Sequence, residues 1–113
     1  MSTSIFSKII AREIPANIIH EDELVVAFHD IAPQAPVHVL IVPKECIATP
    51  DDLVSGHAQL LGHMMLTAGT LARSLGLERG YRLVMNCKED GGQSVNHIHL
   101  HLLGGRPMQW PPG

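Results

Sequence analysis

Aromatic side chains and clustered basic charge are both scarce in this sequence. Two phenylalanines, one tyrosine and one tryptophan are its aromatic residues, too few for the stacking platforms that bind single-stranded nucleic acid. Eight lysines and arginines stand against eleven acidic residues, which gives a formal net charge of -3. The chain therefore lacks the positive field that phosphate backbones require, and we expect no nucleic acid partner.

Cysteines and long hydrophobic runs are equally scarce. Cys46 and Cys87 do not form a C-x-x-C pair and are too few for a disulfide framework, which is typical of a reducing compartment. No run of about 18 apolar residues marks a membrane span. The apolar pair at 5–6 is followed at once by Ser-Lys, so the apolar core of a signal peptide is missing. These absences predict a soluble, cytoplasmic protein with no membrane partner.

The chain has 113 residues, of which 45% are hydrophobic. That is enough for one compact domain that buries about two thirds of its unfolded surface. We expect a single domain over residues 1–113, with an irregular tail at 104–113. Alternating and apolar runs predict five strands, and capped periodic runs predict two helices. The predicted strands cover residues 18–20, 24–29, 37–42, 81–86 and 97–103, and the predicted helices cover 5–10 and 49–75.

A run of alternating histidines near the end of the chain carries the strongest chemical signal. Side chains on a strand alternate between faces, so His97, His99 and His101 are expected on one face and the intervening aliphatic residues on the other. Mutual repulsion of three imidazoles favours their neutral forms near pH 7. The preceding Gly-Gly-Gln-Ser segment, residues 91–94, can aim backbone N–H groups at an anion.

Three interpretations of this histidine run compete. In the first, the strand is half exposed and its histidines are incidental. In the second, it is a zinc site, although Cα atoms of His97 and His101 about 13 Å apart make one ion shared by all three unfavourable. Two of these three histidines, together with His38 from the apolar strand at 37–42, could still bind one zinc ion. In the third, which we favour, one histidine is a nucleophile toward phosphorus.

Residues 97–103 match the His-φ-His-φ-His-φ-φ signature of the histidine triad (HIT) proteins, which the chain resembles over nearly its whole length. Further similarity lies in residues 5–10, 27–31, 33–36, 38, 41–44, 80–82, 91–94 and 104–106. The branch that it resembles is the histidine triad nucleotide-binding proteins. This resemblance implies an α+β fold in which an antiparallel five-stranded sheet carries two helices. It also implies a homodimer with a continuous ten-stranded sheet, and no metal or other cofactor.

The resemblance also assigns roles to the histidines. It implies that His99 is the nucleophile that takes the nucleotidyl group and that His97 orients it through its main-chain carbonyl. His101 would contact the phosphate. His38 would join a proton relay to the departing amine.

The substrate-binding residues are likewise implied by the resemblance. Asp30 would hold the ribose hydroxyls, although its residue type before a proline loop favours a turn former. The remaining assignments place residues against the base, the sugar, the phosphate or the partner's site. They are Phe28 and Ile31 for the base, Asn86 for the sugar and phosphate, Gly92, Gln93 and Ser94 for the phosphate, and Trp110, in the tail, for the partner's site.

The implied activity is hydrolysis of the P–N bond of purine nucleoside 5'-phosphoramidates, in which AMP or GMP is the nucleotide moiety. One alternative is a dinucleoside polyphosphate hydrolase or nucleotidylyl transferase, because proteins with the same triad use other leaving groups. Another is a non-catalytic nucleotide-binding or protein-interaction module.

The long helix gives a separate reason to expect a homodimer. Gly62 and Gly69 each cost near 1 kcal/mol against alanine inside a helix, a penalty that a close approach of two helices would offset. We expect a two-fold contact along Gly62, Met65, Gly69 and Ala72, with strand 81–86 paired to its own copy.

Overall fold

The computed structural model describes residues 4–113. Within this range a five-stranded antiparallel sheet carries three α-helices. The elements in chain order are α1 (Ile5–Ile10), β1 (Ile18–Glu21), β2 (Val25–His29), β3 (Val37–Pro43), α2 (Ala58–Ser74), β4 (Tyr81–Val84), α3 (Lys88–Gly91) and β5 (Leu100–Gly104). No helix in the described part of the chain is long and apolar enough to cross a membrane.

The sheet has the strand order β1-β2-β3-β5-β4, with antiparallel pairing between all neighbours. This confirms the predicted α+β fold with a five-stranded antiparallel sheet. Strand β3 lies at the centre and is fully apolar except at His38, and its residues from His38 to Pro43 are buried. Strand β4 lies at one edge, so one side of its backbone has no partner strand among residues 4–113.

The two faces of the sheet are covered differently. Helix α2 packs on one face, where Met64 and Ala68 join Ile41, Leu100 and Leu102 in the larger core cluster. The short helix α1 covers part of the other face, in a smaller cluster that contains Phe6, Ile9, Val26, Phe28, Leu40 and Val42. The rest of that second face is left for a site.

The histidine run is only partly a strand. Strand β5 begins at Leu100, so His97 and His99 precede it, contrary to the prediction of a strand over 97–103. The reason is that the Ile98 N–H donates to the Ile47 carbonyl at 2.8 Å instead of pairing with β3. The predicted alternation of side chains holds nevertheless. The rings of His97 and His99 contact Phe6 in the smaller cluster, whereas Ile98 lies in the larger one.

The long helix is shorter than predicted. Residues 50–52 and 55–57 form two single 3-10 turns, and α2 starts at Ala58. Leu53 and Val54 between the turns are extended, with ψ of 141° and 172°, which breaks the helix that the Thr-Pro-Asp-Asp cap predicted. On α2 itself, Thr67 is buried although its side chain is polar, and Met65 is 51% exposed although its side chain is apolar.

The segment between β4 and β5 was expected to be a loop, but it contains the one-turn helix α3. Its C-cap is Gly92, which has a left-handed conformation with φ of 82°. Gly91 is the last helical residue, so only one of the two glycines uses its freedom to take positive φ. The irregular tail starts at residue 105, because β5 extends through Gly104.

Candidate active site

The histidines gather on the face of the sheet that α1 partly covers. In the β3–β5 pairing, Leu40 lies opposite His101 and His38 lies opposite Leu103, so both histidines point to the same face as Leu40. Asp30 follows β2, and its N–H donates to the His38 carbonyl at 2.9 Å. Three distant segments of the chain therefore meet at this site.

His97 is completely buried and hydrogen-bonded at both ring nitrogens. Its Nε2 donates to the Pro43 carbonyl at 2.8 Å, because a carbonyl can only accept. Its Nδ1 then accepts from the hydroxyl of Ser4 at 2.7 Å, and the Ser7 hydroxyl is a further 3.4 Å from the same nitrogen. The imidazole of His97 is thus fully used in holding α1 to the end of β3, and it is closed to substrate.

His99 lies next, with 5% of its surface exposed. Its Nδ1 donates to the main-chain carbonyl of His97 at 2.8 Å. The neutral ring must therefore carry its lone pair on Nε2, the nitrogen that a nucleophile needs. Phe6 packs edge-on against the ring at 4.9 Å between centroids, and His101 does so at the same distance. This ring is held in one orientation and in one tautomer.

His101 and His38 form a directed pair. The N–H of Gln34 donates to Nδ1 of His38 at 3.1 Å, which places the proton of neutral His38 on Nε2. That Nε2 donates to Nδ1 of His101 at 2.9 Å. It also lies 3.5 Å from a carboxylate oxygen of Asp30. Neutral His101 consequently carries its own proton on Nε2, where it can be donated to an oxygen or nitrogen of a bound molecule.

All four of these histidines are held in their neutral forms. Burial lowers the pKa of His38, His97 and His99 below the ordinary value of 6.5. Burial, with smaller contributions from the charges of His99 and His38, lowers the pKa of His101 to about 4. The sequence predicted neutral imidazoles because of mutual repulsion, but burial is the larger cause.

This burial predicts a pH dependence of stability. A histidine whose pKa is lower in the folded state binds fewer protons there than in the unfolded chain. The free energy of unfolding should therefore be level above pH 6.5 and fall as the pH drops from 6.5 toward about 4. Urea unfolding at a series of pH values measures this slope, which His101→Gln should reduce. A wild-type free energy of unfolding that is unchanged down to pH 4.5 would contradict the assigned burial effect.

The loop before the histidines is fixed by the side chain of Gln93. Its Nε2 donates to the carbonyls of Ala48 and Val95 at 2.7 and 2.9 Å, and its Oε1 accepts from the N–H of Lys88 at 2.8 Å. The side chain is thus occupied, and only the backbone of Gln93 remains for a phosphate. Ser94 is exposed and has no hydrogen bond to the described residues, so its hydroxyl is available. Asn86 is half-buried beyond the end of β4.

The residues assigned to base and ribose lie at different depths. Phe28 is only 3% exposed and packs edge-on against Phe6 at 5.7 Å, so it supports the site from the core, and its predicted role beside the base stays a prediction. Ile31 is 95% exposed and Trp110 is 83% exposed. Asp30 uses Oδ1 to accept the Ala32 N–H at 2.8 Å. It is therefore a turn former, as residue type suggested, with Oδ2 facing His38.

A metal ion is a weaker interpretation of the same cluster. Donor atoms of Asp30, His38 and His101 lie within 4.8 Å of one another, a set that omits two of the three histidines in the run. A neutral histidine that binds a metal through one nitrogen donates the N–H of the other to an acceptor. His38 has the opposite arrangement, because its second nitrogen accepts from the Gln34 N–H. This polarity suits a proton relay better than a ligand set.

Residues 11–108 match the HIT domain family. The chain therefore belongs to this family, and the resemblance read from the histidine run is confirmed. A crystal structure of a HIT family hydrolase from Legionella pneumophila superposes with a TM-score of 0.96 at 53% identity, covering 98% of this chain and 100% of that one.

Two further relatives are similar over most of their length. A purine nucleoside phosphoramidase from Escherichia coli is 55% identical over 106 residues, covering 93% of this chain and 89% of that protein. A histidine triad nucleotide-binding protein from Candida albicans has a TM-score of 0.82 at 30% identity, covering 96% of this chain and 83% of that one. The chain is a HIT family hydrolase, and the prediction of an enzyme is confirmed.

The contacts of several residues that build the site could not be predicted from the sequence. Phe6 and Ser7 lie in the predicted helix 5–10, Ser4 precedes it and Pro43 follows the predicted strand 37–42, but nothing in these residue types predicts a contact with His97 or His99. Their partner His97 is about ninety positions away from α1 in the chain, with separations of 93 and 90 residues for the two serines. Only the fold brings them to His97.

Proposed function

We propose that this protein hydrolyses the P–N bond of purine nucleoside 5'-phosphoramidates, with AMP or GMP as the nucleotide moiety. The observation that supports it most is the hydrogen bond from His99 Nδ1 to the His97 carbonyl, which leaves a lone pair on Nε2 of a neutral imidazole. A neutral imidazole attacks phosphorus without first losing a proton. The purine nucleoside phosphoramidase of Escherichia coli, 55% identical, supports the choice of substrate.

In the first step, Nε2 of His99 forms a bond to phosphorus as the P–N bond breaks. With the anionic substrate bound, the His38–His101 pair takes up one proton from solvent, and the Asp30 carboxylate 3.5 Å from His38 Nε2 stabilises the added charge. The departing amine takes a proton from Nε2 of His101, which leaves both rings of the pair neutral, and the positive charge is then on the His99 ring bonded to phosphorus. The Ser94 hydroxyl and the backbone of residues 93–94 contact the phosphate oxygens and stabilise their charge.

In the second step, water attacks the nucleotidyl-histidine. The water gives its proton back to the relay, the P–Nε2 bond breaks, and a nucleoside monophosphate is released. The Asp30 carboxylate contacts the ribose through the oxygen that faces His38, and Asn86 and Ile31 lie beside the nucleoside. Dividing one displacement into two lowers the barrier, since each half has a better leaving group.

The test compares two substrates in one preparation. We expect rapid turnover of adenosine 5'-phosphoramidate and much slower turnover of diadenosine tetraphosphate. The reverse order would support the alternative of a dinucleoside polyphosphate hydrolase. Binding of AMP without turnover of either compound would support a non-catalytic nucleotide-binding protein.

Removal of metal should leave the activity unchanged, because every step above uses side chains of the chain itself. Protein dialysed against EDTA is expected to retain its rate, and added zinc should not increase it. Metal content measured on the same sample controls for incomplete removal. Loss of turnover on dialysis with recovery on adding zinc would instead make Asp30, His38 and His101 a ligand set.

We also propose that the protein acts as a homodimer. Strand β4 is an open edge among the described strands, and its first residue, Tyr81, is 42% exposed, with its hydroxyl near Gly69 of α2. On the same helix, Met65 and Leu66 are 51% and 74% exposed. An exposed apolar group beside an unpaired strand favours association with a second copy. The predicted cytoplasmic location stays a prediction.

A further inference from the structure

Helix α1 touches the catalytic histidines although it supplies no group to the reaction. Ser4 is its N-cap, and the Ser4 Oγ accepts the Ser7 N–H at 2.9 Å. The same hydroxyl donates to Nδ1 of His97 at 2.7 Å. One side chain therefore begins the helix and also fixes a buried imidazole.

His97 transmits this constraint to the nucleophile. Its ring is held at one end by the Ser4 hydroxyl and at the other by the Pro43 carbonyl. The main-chain carbonyl of the same residue accepts the N–H of His99 Nδ1. A ring fixed at both nitrogens leaves its own backbone little freedom to turn, so the carbonyl stays aimed at His99. Phe6, in the first turn of α1, packs on both rings at 6.0 and 4.9 Å.

We infer that Ser4, with Ser7 beside it, is a positioning residue that keeps His99 in the tautomer with its lone pair on Nε2. The expected effect on turnover rests on the proposed function. The effect on structure does not: the hydroxyl donor at position 4 or 7 determines whether the His97 ring stays fixed. Loss of that donor would leave a buried nitrogen without a partner, and His97 would have to turn to find one.

Two serines must be changed together to test this. Ser7 Oγ is 3.4 Å from the same nitrogen, so it can replace Ser4 when that side chain alone is removed. We choose Ser4→Gly with Ser7→Ala, because glycine is nearly as good an N-cap as serine and leaves α1 intact. The matched control is Ile10→Ala, which weakens the packing of the same helix without contacting His97.

The expected result is a fall in kcat of about 10- to 100-fold for adenosine 5'-phosphoramidate, with KM nearly unchanged, since the nucleophile is misplaced and the binding groups are not. Ile10→Ala should keep its kcat at a temperature where it is fully folded. Threonine at position 4, in the Ser7→Ala background, should restore the rate because it supplies both cap and donor.

Imidazole nitrogen NMR near neutral pH provides a readout that does not depend on activity. The wild-type protein should show a single Nδ1–H tautomer for His99, and the double variant a mixture. A double variant with unchanged kcat and a single His99 tautomer would overturn the inference, as would an equal loss of kcat in Ile10→Ala. If the wild type turns over no phosphoramidate, the proposed function fails, and the tautomer measurement still decides the role of Ser4.

Discussion

Replacing His99 with alanine is expected to reduce phosphoramidate turnover by several orders of magnitude while nucleotide binding is retained. The variant loses the lone pair that we propose bonds to phosphorus, and neither His97 nor His101 can take its place. The ring of His97 is buried with both nitrogens occupied. His101 has its Nδ1 occupied by His38, so its free nitrogen carries a proton in the neutral ring.

The groups that we propose to bind the nucleotide remain in this variant. Asp30, Ser94 and the loop fixed by Gln93 do not depend on the His99 ring for any hydrogen bond. AMP affinity measured by calorimetry should therefore change little. A thermal unfolding curve checks that the space left beside Phe6 has not unfolded the protein.

The control is His63→Ala. His63 lies on α2, which packs against the opposite face of the sheet, and its Nε2 is 2.8 Å from a carboxylate oxygen of Asp22. It removes a partly exposed imidazole from the same protein without touching the site, and its turnover should be near wild type. A His99→Ala protein with a near-normal rate would disprove the nucleophilic mechanism.

The sequence predicted which side chains share a face, because alternation is a local property of extended chain. His97, His99 and His101 could be separated in this way from Ile98, Leu100 and Leu102, even though β5 starts only at Leu100. Alternation does not say which strand lies opposite. The contact of His38 with His101 depends on the β3–β5 register, which joins residues 63 positions apart.

The tautomers of His38 and His99 also could not be predicted from the sequence. The proton of His38 is placed by the backbone N–H of Gln34, and that of His99 by the carbonyl of His97. Both partners are main-chain groups, which every residue type carries, so no pattern of side chains marks them. The family resemblance predicted that the His97 carbonyl orients His99, but it predicted no such role for Ser4 or Gln34.

The sequence correctly predicted a helix cap at Thr49, but it did not predict that the helix after this cap has only one turn. The side chain of Asp52 accepts from the N–H and the hydroxyl of Thr49 at 3.1 and 2.9 Å. This box closes a single 3-10 turn, after which Leu53 and Val54 are extended. A cap stabilises the first turn whether or not a second one follows.

The glycines of α2 require a revised explanation. A Cβ on Gly69 would lie 3.6 Å from the Tyr81 hydroxyl and from Nη1 of Arg73, an ordinary contact distance within the chain. A Cβ on Gly62 would have nothing within 4 Å. Ala72 is 1% exposed and belongs to the larger core cluster, so it cannot meet a partner helix, contrary to the predicted stripe. The residues that remain available for contact with a second copy of the chain are Gly62, Met65, Leu66 and Tyr81.

Introducing charge into this surface is expected to separate the proposed homodimer and impair turnover together. Met65→Glu places a carboxylate where we expect apolar contact, and a two-fold interface contains the change twice. Loss of two buried methionines, at about 1.5 kcal/mol or more each, weakens association by about 3 kcal/mol, or roughly 100-fold in Kd. Light scattering and sedimentation at micromolar concentration measure the effect, with Ser55→Glu as a control of equal charge on an exposed turn before α2.

Turnover should fall with the dimer because the tail lies beside the same edge. Nη2 of Arg82 on β4 donates to the Gln109 carbonyl at 2.8 Å, which holds the chain next to Trp110 along the edge strand. Trp110 is 83% exposed within one chain. We expect that in the homodimer its side chain packs against the active site of the partner subunit. Trp110→Ala should then raise KM for phosphoramidate without dissociating the dimer. An unmodified protein that is monomeric at micromolar concentration, or a monomeric Met65→Glu protein with full activity, would contradict this arrangement.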